Sequence, residues 1–359
     1  MSDMSYFTNI RTGWCDELSI AAQQITLPIL AITGTNGKSS TAYYTHQLLK
    51  MAGKRSFLGG NFGTPLSSLV PNQKDYDIAV VEVSSYQLEG AQHFHPSASA
   101  ILNLTPDHLA RHSNMECYAE MKRRIFSEQL SSEIVITNGD ERIQPVNNIH
   151  WKLGAFPGAI IAKGQLQIQV SDKEYHFSLD EIPLLGNHNY WNVATAIMLC
   201  SSVSVLPHHY NIRKLRALEH RLELIRCVDN VRWVNDSKAT NAEATLVALD
   251  GIDGPHIVLL GGAGKIGADY AQLLELLKEK ARHVICFGQS STEIFNQLSD
   301  HPSSFKIEKM QDALEQAQQL ALSGDTIIFS PACASFDEFD NFMHRGATFR
   351  LFVDQLESK

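Results

Sequence analysis

Leu27-Pro28-Ile29-Leu30-Ala31-Ile32-Thr33-Gly34-Thr35-Asn36-Gly37-Lys38-Ser39-Ser40-Thr41 is the stretch whose reading decides the fold. A short apolar run closes in a glycine-rich turn, Lys-Ser follows, and Tyr43, Leu48, Leu49 and Met51 recur at helix-compatible spacing. A strand feeding a glycine turn and then a helix start offers backbone N–H groups and the positive helix end to a polyphosphate. In such a turn Gly34, Thr35, Asn36 and Gly37 wrap the phosphates, and Lys38 reaches the terminal ones. Ser39 can ligate Mg²⁺. Counting back from Gly37, the place where the common P-loop pattern has its first glycine holds Ile32, so this is a variant of that pattern. The competing reading is a strand-to-helix turn that binds nothing. Lys-Ser has little structural use there, which weighs against it.

The remaining chain sets the frame. At 359 residues it is too long for one typical core and suits two domains. With 44% hydrophobic and 19% charged residues it reads as an ordinary globular protein. The net charge of −9, with no basic run longer than Lys122-Arg123-Arg124, argues against a nucleic-acid partner. No apolar run approaches the length of a membrane span, and the first residues lack a signal-peptide pattern. Six scattered cysteines without Cys-x-x-Cys suggest neither a zinc cage nor a disulfide framework. The expectation is a cytoplasmic protein with reduced thiols.

Apolar strands alternate with helices from residue 28 onward. Strands are expected at Ile29–Ile32, Ile78–Val83, Ala100–Leu104 and Ile134–Thr137, with helices near 39–52, 85–92 and 115–128. That rhythm predicts a parallel sheet covered on both faces. Residues 149–183 alternate apolar and polar, as in a small antiparallel meander. Helices are expected from Asn189 to Ser202 and from Asn211. Beyond a boundary near 218, Leu222–Val228 and Val231–Val234 flank Asp229-Asn230, which reads as a hairpin or a bent connection. The βα rhythm then resumes, with helices at 241–249, 269–280, 310–322 and 342–356 and strands at 256–260, 283–287 and 326–329. The division is a short extension (1–27), an α/β P-loop domain with a mostly parallel sheet plus the meander (28–217), and a Rossmann-like domain (218–359).

Ligands of parallel sheets sit at the strands' carboxyl ends, and polar residues gather there. Glu82 closes an otherwise apolar strand, where a charge is costly unless paired or metal-bound. Ser84, Ser85 and Gln87 follow, and Asp107-His108 lies after the next strand. A carboxylate, an imidazole and the P-loop hydroxyl suit Mg²⁺ or Mn²⁺ holding a triphosphate. The plainer alternative makes Glu82 a charge near a helix start and His108 a loop residue. Gly186-Asn187-His188-Asn189-Tyr190-Trp191-Asn192 reads either as a helix cap or as hydrogen-bonding groups for a purine edge. Val234-Asn235-Asp236-Ser237-Lys238-Ala239-Thr240-Asn241 follows the first long strand of the second domain, and capping by Thr240 or Asn241 is its plain alternative.

Six blocks in this order carry a resemblance: Ile32–Ser39, Glu82-Val83-Ser84-Ser85-Tyr86-Gln87-Leu88-Glu89, Asn103-Leu104-Thr105-Pro106-Asp107-His108, Asn187-His188-Asn189-Tyr190, Asn235–Asn241 and Ser330-Pro331-Ala332-Cys333-Ala334-Ser335. From about residue 16 onward the chain resembles the Mur ligase family, and within it the D-glutamate-adding branch. The resemblance implies an ADP-forming carboxylate–amine ligase. It takes a phosphoryl group from ATP to make an acyl phosphate, which an amine attacks, with two domains closing over the substrates. It implies that Lys38, Ser39 and Ser40 hold phosphates and one Mg²⁺, with Glu82 as a ligand, and that His108 ligates a second Mg²⁺. Lys122 aligns with the family's carbamylated lysine, whose CO₂-derived carbamate is a metal ligand; read alone, it is a solvated lysine on a helix. The same carry-over gives His188, Asn189 and Asn192 to adenine, and Arg221 and Asp236 to the nucleotide. It gives Lys238 and Thr240 to the reaction centre, and Lys265, Ser335 and Phe342 to the amino acid's carboxylates. Asn61, Ser84 and Gln87 go to the acyl substrate.

Two departures stand out. Gly261-Gly262-Ala263-Gly264-Lys265-Ile266-Gly267-Ala268-Asp269 has Ala263 where relatives carry Asp, and one residue more before Ala268-Asp269. Only 27 residues precede the first strand, whereas these ligases begin with a domain that binds UDP. The resemblance, through its Asn235–Asn241 and Ser330–Ser335 blocks, implies D-glutamate as the amine. The acyl donor is either a UDP-linked muramoyl-L-alanine, bound weakly or with help from a separate UDP-binding protein, or a smaller carboxylate without UDP. A regulator that binds nucleotide without turnover is the remaining alternative.

Overall fold

The computed structural model describes residues 16–205, 208–265 and 267–358. Cys15 and most of the short N-terminal extension lie outside them. The chain divides into two compact units. The first runs through Pro183 and includes Tyr190–Leu215; the second comprises Leu184–Asn189 and everything from Arg216 onward.

In the first unit the strands are β1 (Ile29–Thr33), β2 (Ser56–Gly60), β3 (Ile78–Glu82), β4 (Ala98–Ile101), β5 (Ile134–Thr137), β6 (Ile149–Leu153), β7 (Gly158–Ala162), β8 (Gln165–Val170) and β9 (Lys173–Ser178). They form one sheet in the order β2-β3-β1-β4-β5-β6-β7-β8-β9. Pairing is parallel from β2 through β7 and antiparallel from β7 to β9. The expected meander is thus an extension of the main sheet. Every residue of β1 and β3 is buried, as strands covered on both faces require. The helices are α1 (Glu17–Ala22), α2 (Lys38–Met51), α3 (Ser85–Gly90), α4 (Leu109–His112), α5 (Met115–Arg123), α6 (Asn187–Ser202, which crosses into this unit from the second) and α7 (His209–Ile212). One core joins Ile29, Ala31, Ala79, Val81 and Val83 of the strands to Leu88, Tyr118, Ala119 and Ile125. Residues alternate across a strand, so Glu82 faces away from that core.

Some sequence expectations are adjusted here. The strand expected at 100–104 pairs only at Ala98–Ile101, which frees 102–108 to serve the site as loop. The helix expected from Asn211 is the single turn α7. Strand β2, Ser-Phe-Leu-Gly-Gly, lacks the apolar run that would reveal it; β3 recruits it by backbone pairing from Ser56 to Gly60.

The second unit carries β10 (Glu223–Val228), β11 (Val231–Asn235), β12 (His256–Gly261), β13 (Ala281–Phe287), β14 (Ser304–Lys306) and β15 (Thr326–Ala332), ordered β10-β11-β15-β12-β13-β14. Only the β10–β11 pair is antiparallel, and its turn residues Asp229 and Asn230 have φ of 51° and 61°, as the tight hairpin requires. Helices α8 (Ala242–Asp250), α9 (Leu274–Lys280), α10 (Ser291–Gln297), α11 (Met310–Leu320) and α12 (Phe342–Asp354) cover the two faces. Leu184–Asn189, expected in the first domain, belongs here: Leu185 packs on the core of Leu222, Val234 and Leu249, and Gly251 lies against Gly186. Among the described residues no helix is long and apolar enough to cross a membrane.

Candidate active site

The turn after β1 is built by close approach. Gly34 has φ 149° and Gly37, the residue before α2, has φ 85°. A Cβ on Gly37 would stand 2.5 Å from Asn192 Oδ1. Gly37→Ala is accordingly expected to cost about 1–3 kcal/mol in urea denaturation and to weaken nucleotide binding. Asn103 holds the turn from the opposite side: its Oδ1 accepts from Asn36 N at 2.8 Å, and its Nδ2 donates to Asn36 O at 3.1 Å. Thr35 Oγ1 donates to Thr105 O at 3.1 Å, accepts from Thr105 N at 3.1 Å and lies 3.4 Å from Tyr118 Oη. Asn192 Oδ1 accepts from Thr41 Oγ1 at 3.2 Å, so Asn192 braces the start of α2.

Two lysines meet at this turn. Lys38 Nζ donates to Gly34 O at 2.9 Å and Thr35 O at 2.8 Å. Lys122 comes from α5, is 1% exposed, and donates to the same Gly34 O at 2.9 Å. Its ammonium also stands 4.5 Å from the centre of the Tyr118 ring. Burial, then the charge of Lys38, push the Lys122 pKa down to about 7, with Asp107 opposing. This is not the solvated lysine that the sequence alone suggests. A buried amine that is partly neutral near pH 7 is the form that can add CO₂.

Glu82 is 2% exposed at the end of β3. Its Oε1 accepts from Asn61 Nδ2 at 2.9 Å, while Oε2 is buried with no hydrogen-bond partner among the described residues. A buried carboxylate oxygen without a donor is costly unless a cation completes it, so the donor set fits a metal. Among the described residues no three His, Cys, Asp or Glu side chains cluster tightly enough to hold one alone. An ion here would draw its other ligands from hydroxyl, phosphate, water or modified-lysine oxygens. Ser39 and Ser40, both buried, open α2. His108 sits half-exposed at φ 52°, with its Nε2 3.4 Å from Asp107 Oδ2 and its ring 5.1 Å from that of Tyr86. Ser84 and Gln87 cap α3 reciprocally, Gln87 N donating to Ser84 Oγ at 3.2 Å and Ser84 N to Gln87 Oε1 at 3.0 Å. These bonds engage the Ser84 hydroxyl and the Gln87 side-chain oxygen.

The second unit gathers another polar set. Asp236 is 7% exposed, and burial pushes its pKa up to about 7 against the hydrogen bonds from Ser330 and Leu222 N. His188 and Asn189 open α6; Asn189 Nδ2 donates to Leu185 O at 2.6 Å, and burial followed by the Arg221 charge lowers the His188 pKa. Lys238 Nζ stands 5.5 Å from the centre of the Phe342 ring. Thr240 is half-buried, and Asn241 caps α8. Lys265 is exposed, Ser335 buried, and Ala263 pairs with Ala334, so Ala263 lies beside the Ser335 loop.

Arg345 gave no signal in the sequence, since an arginine inside a helix reads as a surface charge. It is fully buried. Its Nε donates to Ser237 Oγ at 3.0 Å, and its Nη2 to Ser237 O at 2.8 Å and Cys333 O at 3.0 Å. Its Nη1 donates to Ala334 O at 3.1 Å. One guanidinium thereby ties the loop carrying Lys238 to the loop carrying Ser335. Asn103, Thr105 and Tyr118 were likewise missed as site residues.

Residues 32–200 match the Mur ligase middle domain and residues 220–333 the Mur ligase, glutamate ligase domain. Similar proteins include the UDP-N-acetylmuramoylalanine–D-glutamate ligases of Alkaliphilus metalliredigens and Salinibacter ruber. The first is 34% identical over 91% of this chain and 75% of its own length; the second is 35% identical over 95% and 79%. Among solved structures, MurF ligase from Thermotoga maritima in complex with ADP superposes with a TM-score of 0.66 at 16% identity, covering 94% of this chain and 84% of its own. E. coli FolC in complex with DHPP and ADP gives 0.67 at 15% identity, covering 98% and 97%; both likenesses show the fold alone. The glycine turn with its two lysines, the half-partnered Glu82 and these matches agree: the chain belongs to the Mur ligase family.

Proposed function

We propose that this protein is an ATP-dependent, ADP-forming amide ligase of peptidoglycan precursor synthesis that joins D-glutamate to UDP-N-acetylmuramoyl-L-alanine. The observation that carries the reading is Lys122, buried against Gly34 O beside Lys38 at the mouth of a phosphate-binding turn. The names of the relatives support the two substrates.

The acyl carboxylate attacks the γ-phosphorus of ATP, ADP leaves, and the D-glutamate nitrogen then displaces phosphate from the acyl phosphate. Such transfer is catalysed by positioning and charge stabilisation. Lys38 places a positive charge on the transferring phosphoryl group, while Ser39, Ser40 and the first N–H groups of α2 fix the other phosphate oxygens. Asn61, Ser84 and Gln87 orient the acyl substrate. His188, Asn189 and Asn192 serve the adenine end, Arg221 and Asp236 the nucleotide. Lys265, Ser335 and Phe342 seat the amino acid, with Lys238 and Thr240 at the reacting atoms. Ser39, Glu82, His108 and a carbamylated Lys122 are the groups that would hold two Mg²⁺ ions, which supply charge neutralisation to the phosphates.

Phosphate release tests this, with D-glutamate fixed and acyl donors varied with and without UDP. Magnesium-dependent turnover on UDP-N-acetylmuramoyl-L-alanine is expected. Turnover only on a small UDP-free carboxylate moves the donor assignment. ATP binding without turnover on any pair makes the protein a regulator.

A further inference from the structure

His108 stands immediately before α4 with left-handed backbone, φ 52°, which its surroundings must hold in place. Its carbonyl oxygen is the acceptor of the turn that follows: Arg111 N donates to it at 2.9 Å and His112 N at 3.1 Å. The side chains of the same two residues grip α3. Arg111 Nε and Nη2 donate to Glu89 Oε1 and Oε2 at 3.1 and 2.7 Å. His112 Nε2 lies 3.0 Å from Ser85 Oγ. Ser85 and Glu89 are four residues apart on α3 and so share one face of it. The two anchors differ in weight. The Arg111 side chain is 49% exposed, and water screens its ion pair. His112 and Ser85 are both buried, and a buried polar pair costs more when one partner is removed. Burial lowers the His112 pKa, with Glu89 opposing and His108, Lys122 and Arg111 adding to the fall. The ring is therefore neutral at pH 7 and shares one hydrogen bond with the Ser85 hydroxyl. It also fills the space between two aromatic rings, 5.8 Å from the centre of Tyr86 and 5.1 Å from that of Tyr118.

We propose that His112 is a positioning residue: locked to Ser85 by a buried hydrogen bond, it anchors the turn that presents the His108 imidazole beside Tyr86. The inference rests on the reading that His108 serves the reaction centre. It makes turnover depend on a bond between two side chains that lie outside every group assigned above to nucleotide, acyl donor or amine. Substitutions separate the bond from the packing. Phenylalanine at 112 keeps a ring between Tyr86 and Tyr118 and loses the bond. Glutamine puts an amide where Nε2 stands and loses the ring. Alanine at 85 removes the bond from the other side and leaves the ring where it is.

The test compares Ser85→Ala, His112→Phe, the double variant and His112→Gln. It reads kcat, KM for ATP, and amide hydrogen exchange at Arg111 in the whole chain without metal or nucleotide. Ser85→Ala and His112→Phe are each expected to speed Arg111 exchange and to lower kcat about tenfold. KM for ATP should stay within about twofold, because the turn holding Lys38 is untouched. The double variant should be no worse than the more damaging single one, since both remove the same bond. His112→Gln should exchange more slowly at Arg111 than His112→Phe. Arg111 exchange or kcat unmoved in Ser85→Ala overturns the proposal. So do single effects that multiply in the double variant, a KM that rises as far as kcat falls, or glutamine exchanging as fast as phenylalanine. A wild-type protein that turns over no substrate pair defeats the functional reading instead, and exchange at Arg111 still decides for or against the anchor.

Discussion

Turnover of a Lys38→Ala variant is expected to fall by at least about 10³-fold, read as ADP release with saturating substrates. Lys38 Nζ lies against Gly34 O and Thr35 O at 2.9 and 2.8 Å, at the turn proposed above to take the terminal phosphates. On that proposal, removing it takes away the positive charge offered to the transferring group. Lys38→Arg should fail as well, because a planar guanidinium does not replace a compact ammonium in a turn this narrow. The thermal midpoint should change little, which separates lost chemistry from lost folding. ADP release at the wild-type rate in Lys38→Ala would remove the phosphate role from the turn.

The second large effect concerns Lys122, where stability and activity move in opposite directions. Its pKa is depressed to about 7 from 10.5. Between those values the folded protein binds fewer protons than the unfolded chain, so stability rises with pH across that window, and the burden of the buried charge is fully present below it. Lys122→Met fills the same volume without a charge. It is expected to stabilise the fold by about 1–4 kcal/mol near neutral pH and below, in buffer freed of CO₂, with the gain shrinking toward pH 10. The same variant should lose nearly all ligase turnover. Urea denaturation at several pH values checks the first claim and phosphate release the second. A variant less stable than wild type at low pH would mean that the lysine is held for its packing rather than as a concealed amine.

How much of this was legible in the sequence depends on the range of the interaction. The turn at Gly34–Lys38, the carboxylate at the end of β3 and the His108 loop are written in consecutive residues, since a strand, a turn and a helix start are local structures. Asp229-Asn230 marked the β10–β11 connection as a hairpin or a bend, and the antiparallel pairing decides for the hairpin. Lys122 needed the family resemblance, because only packing distinguishes a buried lysine from an exposed one. Arg345 was illegible for the same reason: Ser237, which it grips, lies far along the chain, and nothing in the neighbours of Arg345 marks it. Asn103 stands in a block that carries the resemblance, but its pairing with distant Asn36 shows only in the fold. Ser84 and Gln87 show the converse. Their spacing is a capping signature, and the structure uses it as one. Strand β2 escaped because partner pairing, rather than its own composition, makes it a strand.

The place of β15 in its sheet has a consequence for biosynthesis. Thr326–Ala332 is inserted between β11 and β12, although it is the last strand to be made. A nascent polypeptide that has reached residue 325 therefore carries β10–β11 and β12–β13–β14 as two fragments with bare edges, prone to pairing with other chains. The strands and flanking helices of the first unit are all translated before that stage. The second unit consequently closes late and at once, and its assembly waits for the ribosome rather than for the intrinsic speed of the fold.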